Sequence, residues 1–271
     1  MRVFRAGLIA VLGLAPFAIA RAADMPIKAS PQAEAAYNWT GLYVGANAGG
    51  VWSSFDPTSV ASLGTYFAPI PLANVNAAGA QKINPASFLG GFEAGYNAQY
   101  GATVLGIEGD IEYMHLSGSQ QSPAAIAGGS VAFISSAASA DWLSTIRGRI
   151  GYAANNWLFF ATGGAAFTTL KGTFSYADNC GANPGCNGPG TPNGVEAPLS
   201  FSNEKTGYAV GGGVETGLSA NWICKVEYLY VNFSSISTTG LINAGINGTA
   251  PITHSIDLHA NIMRLGLNYK F

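Results

Sequence analysis

The chain has 271 residues, of which 48% are apolar and only 10% charged, and its mean hydropathy is +0.23. Charge this sparse, against about 25% in an average soluble protein, points to lipid contact. Yet beyond residue 20 no apolar run approaches the roughly 18 residues that a membrane-spanning helix needs, so a helical membrane protein is excluded.

Residues 1–22 read as a cleaved signal peptide. Arg2 and Arg5 precede the apolar stretch AGLIAVLGLAPFAIA, and Ala20-Arg21-Ala22 is a small-x-small cleavage site. The stretch is short and broken by Pro16, which counts against an anchoring helix. Removing Arg2, Arg5 and Arg21 from the 12 basic residues leaves 9 against 14 acidic ones, a net charge of −5. That balance argues against nucleic acid as a partner. Residues 23–38 are small, Pro-containing and patternless, and read as a flexible periplasmic arm.

Eight segments with strand character follow within 39–271, at roughly 39–51, 87–99, 102–115, 140–152, 156–169, 205–217, 221–233 and 258–271. Short connections (YGA, AANN, LSAN) alternate with long ones of roughly 35, 24, 35 and 24 residues, rich in Gly, Ser, Ala, Asn and Pro. This alternation predicts an all-β, eight-stranded antiparallel up-and-down transmembrane barrel. Tight periplasmic turns lie at one mouth and long extracellular loops at the other. Three ascending segments open on Asn-Trp, at Trp39, Trp157 and Trp222, a pair suited to a turn followed by a membrane interface. The Asn38-Trp39-Thr40 sequon is discounted, because Trp39 and Thr40 already belong to the first strand.

The segments alternate in face. In DWLSTIRGRIGY, Trp142, Ile146, Ile150 and Tyr152 share one face, and Arg147 and Arg149 the other. Trp142 and Tyr152 stand about 33 Å apart along the strand, or about 25 Å in height when it is tilted, which matches the apolar band of an outer-membrane barrel. The expected interface aromatics are therefore Trp39, Trp142, Tyr152, Trp157 and Trp222. In the third segment Leu105, Ile107, Ile111 and Tyr113 oppose Glu108, Asp110 and Glu112. The same logic puts Glu93, Glu215, Lys225, Glu227, Arg264 and Lys270 on the charged face. Segments one and five are too rich in Gly and Ala, or too apolar on both faces, to fix their phase. In lipid only a closed barrel satisfies every strand, so the charged face is the lumen. The expected lumen cluster is Glu93, Glu108, Asp110, Glu112, Arg147, Arg149, Glu215, Lys225, Glu227 and Arg264, with Lys270 as a fifth base that brings it near neutrality.

Cys180 and Cys186 lie in NCGANPGCNG. In an exported chain a disulfide is the simplest reading, with free thiols or a metal clip as alternatives. Cys224 reads as a small apolar strand residue.

The segments NWTGLYVGANAGG, FLGGFEAGYNAQY, GIEGDIEY, STIRGRIGYA, GYAVGGGVETGL, KVEYLYVNF and MRLGLNYKF resemble the outer-membrane β-barrel family of opacity-type small porins and surface antigens. The resemblance implies a barrel in the cell outer membrane, with the lipid bilayer as its partner and no enzyme site or cofactor. The pattern Arg264, Gly266, Tyr269, Phe271 likewise resembles the C-terminal signal read by the barrel-insertion machinery.

Two functions compete: a non-enzymatic barrel contributing to envelope structure and surface presentation, and a small porin passing small solutes. Eight strands enclose just enough room for side chains to fill, which favours the first. A barrel-embedded enzyme stands third. Its candidate bases, His115 at the end of the third strand, His254 in a loop and His259 near the start of the last strand, lie near the long-loop mouth, and no Ser or Asp spacing supports a triad. No catalytic, cofactor-binding or metal residue is therefore expected. The Gly-rich GYAVGGGVETG is itself a strand, not a nucleotide-binding loop. Deleting Phe271 or replacing it by Asp is expected to leave export intact and prevent stable insertion. The check is the amount of heat-modifiable barrel in outer-membrane fractions.

Overall fold

The computed structural model describes residues 37–183, 186 and 190–271. The expected signal peptide and the arm up to residue 36 lie outside the described residues. Among the described residues nine antiparallel strands form one sheet. They are β1 (Gly41–Ala61), β2 (Ala86–Tyr100), β3 (Thr103–Ala125), β4 (Val131–Ala154), β5 (Trp157–Asp178), the two-residue β6 (Val195–Glu196), β7 (Leu199–Gly217), β8 (Trp222–Asn243) and β9 (Thr249–Lys270). The long strands pair in chain order, and β9 returns to β1 from Tyr43↔Lys270 to Ala61↔Ile252. The ring therefore closes as eight long strands, with β6 an outer prelude to β7. Its tight turns use left-handed backbone, at Gly101 (φ 64°) and Asn155 (φ 56°), where glycine and asparagine fit best.

On the tight-turn side the strands begin and end within about two residues of the sequence expectation. On the other side six of them run on by nine or ten residues: β1, β3, β5 and β8 end later, and β4 and β9 begin earlier. Much of what the sequence presents as long loops is thus sheet. The remaining connections are 62–85, which holds helix α1 (Pro69–Gly79), and 126–130, 179–194 and 244–248. Pro69 opens α1 at its first helical position, where the missing N–H costs nothing. Asn76 holds the helix to β1, accepting from the Ala61 N–H at 2.7 Å, while Asn74 donates to the Ala125 carbonyl at 2.8 Å.

Bulges explain why the pattern breaks. The β4–β5 ladder slips between Ala140 and Ser144, and the β8–β9 ladder between Phe233 and Ile236. Ala140 and Leu143 both point inward, as do Phe233 and Ile236, so the two-residue period changes phase there. Beyond the bulges the outward residues are mostly small or polar, such as Ser139, Ser234 and Ser237.

The interior is layered. At the periplasmic mouth Trp39 packs with Val104, Leu158 and Ile223, flanked by Tyr37. The charged residues come next. Above them lies an apolar core that includes Phe55, Leu116, Leu143, Phe174 and Ile256. A second cluster, with Val75 of α1, Ile134, Tyr176 and Ile252, lies beneath the helix. The phases of β1 and β5 are now set: Tyr43, Asn47, Val51, Leu158, Phe160 and Thr162 face inward.

Trp39 corrects the interface assignment. It is fully buried inside the mouth, and its backbone N–H donates to Gln99 Oε1 at 2.8 Å. It shares the inward phase of Tyr43 and Asn47, whereas Trp157 and Trp222 fall on the outward phase of their strands. Tyr152, Trp157 and Trp222 do face outward, and Trp142 is half-buried, with its Nε1 donating to Thr169 Oγ1. Tyr37 is half-buried beside Trp39, and its hydroxyl donates to the Ala220 carbonyl at 3.2 Å. Cys180 and Cys186 form a disulfide, and Cys224 is free. Trp39→Ala is expected to cost about 3–5 kcal/mol of folding stability, and Trp157→Ala less. Denaturant unfolding of the barrel reinserted into vesicles measures both.

Candidate functional site

Cross-strand register brings the lumen charges together. Glu108 stands opposite Arg147, Glu93 opposite Asp110, Glu215 opposite Lys225, and Glu227 opposite Arg264. All ten residues of the expected cluster are buried. Arg147 is the hub: it donates to Glu108 at 2.6 Å, Asp110 at 2.8 Å, Glu227 at 2.6 Å and Thr145 Oγ1 at 2.8 Å. Arg264 donates to Glu227 at 2.6 and 2.8 Å, to Asp110 at 2.9 Å, and to Glu112. Lys225 Nζ lies 2.6 Å from Glu93 and 3.0 Å from Glu108. Arg149 donates to Glu215 at 2.6 Å and to the Tyr43 hydroxyl at 2.8 Å, and its guanidinium sits 4.1 Å over the Phe160 ring. The Tyr43 hydroxyl in turn donates to Glu108 at 2.6 Å.

Inward glycines make room for these long side chains. A Cβ at Gly91 would stand 2.9 Å from Glu112 Cγ, and one at Gly106 3.0 Å from Arg149 Cγ.

Lys270 is not a member of the network. Its Nζ donates to the Asn38 carbonyl and lies 4.3 Å over the Tyr37 ring. As the last strand residue it reaches only the periplasmic mouth. The network is therefore six carboxyls against four cations, more acidic than the sequence suggests. Glu93, Glu108 and Glu227 do bring oxygens within 4.8 Å of one another, a spacing that could hold a metal. The Lys225 ammonium, within 3.5 Å of all three, already supplies the cation there.

A second buried polar set lies in the extracellular half. His254 Nδ1 is 2.7 Å from Ser59 Oγ, and its Nε2 is 3.0 Å from both oxygens of Glu196. This corrects the reading of His254 as a loop residue: it lies within β9, fully buried, stacked on Phe174 at 4.6 Å. Ser59 and Glu196 stand 195 and 58 residues from it in the chain, and only the strand register brings them together. His115 pairs with Asp141 at 3.2 Å on the exposed wall, and His259 lies 3.7 Å from Asp56.

A closed ring of strands with an apolar outer girdle and a charged interior defines an outer-membrane barrel, and the comparisons agree. The chain belongs to the outer membrane protein beta-barrel domain family, whose model matches residues 11–271. The 31 kDa outer-membrane immunogenic protein of Brucella melitensis is 29% identical over 246 residues, covering 87% of this chain and 85% of that protein. The 25 kDa outer-membrane immunogenic protein of Brucella canis is 25% identical over 277 residues and spans both chains fully. The crystal structure of Ail, the attachment invasion locus protein of Yersinia pestis, superposes with a TM-score of 0.37 at 14% identity, covering 86% of this chain and 99% of that one. The protein is located in the cell outer membrane.

Truncating Arg147 and Arg149 together to Ala strands buried carboxylates. The expected loss is at least the about 3–5 kcal/mol of one broken buried pair. Lys171→Ala breaks an exposed pair with Asp141 and is expected to cost under about 1 kcal/mol. Unfolding midpoints in denaturant measure the difference.

Proposed function

We propose that this protein is a closed, non-enzymatic barrel that stabilises the envelope and presents its extracellular end at the cell surface. The observation that carries this reading is the lumen itself. Arg147, Arg264 and Lys225 are fully buried and bridge opposite walls through carboxylates on β2, β3 and β8. The apolar core above them and Trp39 below leave solutes little room to pass. The Brucella relatives are named outer-membrane immunogenic proteins, which supports surface presentation.

The non-enzymatic part of the reading rests on burial. Ser59, His254 and Glu196 are spaced like a nucleophile, base and orienting acid, but each is at most 2% exposed. The chain at Gly79 packs directly on the Ser59 backbone, so a substrate carbonyl has no approach to the hydroxyl. For assembly, β9 is the strand the insertion machinery would read. Its outward Leu265, Leu267 and Tyr269 are exposed to lipid, and the Phe271 N–H donates to the Leu42 carbonyl at 2.9 Å.

Single-channel recording of the refolded protein in a planar bilayer tests the closed lumen. The expected outcome is no steady conductance in the parent, and openings in the Arg147→Ala, Arg149→Ala double variant. Large steady conductance in the parent would make the small porin the better reading.

A further inference from the structure

Two stretches of the extracellular wall lack a backbone ladder among the described residues: β3 beyond Met114 has no strand on its β2 side, where α1 reaches it through Asn74, and β7 parts from β8. β7 pairs with β8 from Gly217↔Ile223 up to Gly207↔Phe233, and there the ladder stops. It resumes only at β6, with Glu196↔Ile242 and Val195↔Asn243. Between these points one side advances 11 residues, from 196 to 207, and the other only 9, from 242 to 233. A two-residue mismatch cannot be absorbed by a continuous ladder. Pro198, which has no N–H to donate, and the bulge at Ser234-Ser235 fall inside the unmatched stretch. The flanking ladders stay intact: β7 holds β5 from Leu199↔Phe174 downward, and β8 holds β9 from Ile236↔Ile256 to Asn243↔Thr249. The result is a slot between residues 197–206 and 234–241. It begins just above Tyr208 and Tyr230, whose rings lie 6.3 Å apart on the outward face, and so opens sideways at the surface of the outer leaflet.

Side chains cross the slot where backbone bonds do not. Lys205 Nζ donates to the Ser235 carbonyl at 3.1 Å. Glu196 reaches in past Gly240, where a Cβ would collide with its carboxylate and with Leu199. Its two oxygens meet His254 Nε2 at 3.0 Å, and His254 Nδ1 meets Ser59 Oγ at 2.7 Å. The three polar groups tie β6 to β9 and β1 from behind the slot. Against them stand Phe174, stacked on His254, and Phe201, stacked on Phe174 at 6.1 Å. Buried polar groups in apolar surroundings persist only while paired, so this set is in place only when β6 and the top of β7 lie against the barrel.

We propose that the slot is a lateral gate in the barrel wall, held shut by the Glu196–His254–Ser59 clasp. Releasing the clasp parts β7 from β8 above the membrane and exposes the apolar lining of Phe201, Phe174 and Ile236 sideways. The charged network below is untouched by this motion, so the gate is independent of whether the lumen conducts.

Hydrogen exchange of the full chain in lipid vesicles, read by mass spectrometry, tests the gate. Two variants are compared with the parent: Glu196→Gln, which removes the clasp charge, and His254→Phe, which keeps the ring stack but not the hydrogen bonds. In both, exchange of amides in 199–206 and 234–241 is expected to rise on the order of tenfold, as for losing one charge-assisted hydrogen bond. Amides in 207–217 and 222–233 are expected to be unchanged. Exchange in the slot that does not change in Glu196→Gln overturns the proposal. So does a rise spread evenly through all eight long strands, which would mean the clasp merely adds global stability.

Discussion

Four cations buried inside a ring whose outside is hydrocarbon set the terms for the rest of this molecule. Lipid permits no open strand edge, so the ring must close. A closed ring of eight strands has no room for bulk water, so its charges must be satisfied by one another. Arg147 and Arg264 meet this demand by spreading their donors over acids from both sides of the ring, on β3 and β8. The network also fixes register. A one-residue slip of β3 against β4 would swing Glu108, Asp110 and Glu112 toward lipid. The charges that are costly to bury are thereby what makes other pairings of the same strands costlier still.

The same strands obey opposite rules at two heights. Within the bilayer they are apolar outside and charged inside. Above it they are largely polar outside and apolar inside, as in a water-soluble barrel, with α1 laid over the open end. Bulges manage the changeover in β4 and β8, letting inward positions move from Leu143 to Ala140 and from Phe233 to Ile236. Energetically the outer half is a core driven by apolar burial, stacked on a core held by paired charge.

This division explains what was legible in the sequence. The membrane-spanning parts of β3 and β4 could be phased because Glu108, Asp110 and Glu112 alternate cleanly with Leu105, Ile107 and Ile111, and Arg147 and Arg149 with Ile146 and Ile150. The extracellular extensions were not legible. Their outward residues are mostly small or polar, which carry no membrane signature, and the bulges break the two-residue period. Trp39 misled because Asn-Trp recurs at three strand starts, yet only here does the Trp fall on the inward phase, which the Gly- and Ala-rich first segment concealed. Of the candidate site, the ten charges were readable by face, but not their partners, since Arg264 to Asp110 spans 154 residues of chain. His254 stood out only as an isolated histidine ahead of the expected last strand, and Ser59, in the run-on of β1, and Glu196, in a two-residue strand, had no local signal.

The position of the slot follows from the same solvent argument that closes the ring. An unpaired backbone group in hydrocarbon costs several kcal/mol, so a ten-residue gap between strands could not exist within the membrane. In water the same groups exchange one hydrogen-bond partner for another at small net cost. The β7–β8 ladder is accordingly unbroken from Ile223 to Phe233, alongside the lipid-facing Val226, Tyr228 and Tyr230, and fails only where the outward residues become serines. A wall that must be continuous in lipid is free to be discontinuous a few residues higher. What then holds it together is side-chain chemistry, which a single substitution can remove, rather than a ladder, which it cannot.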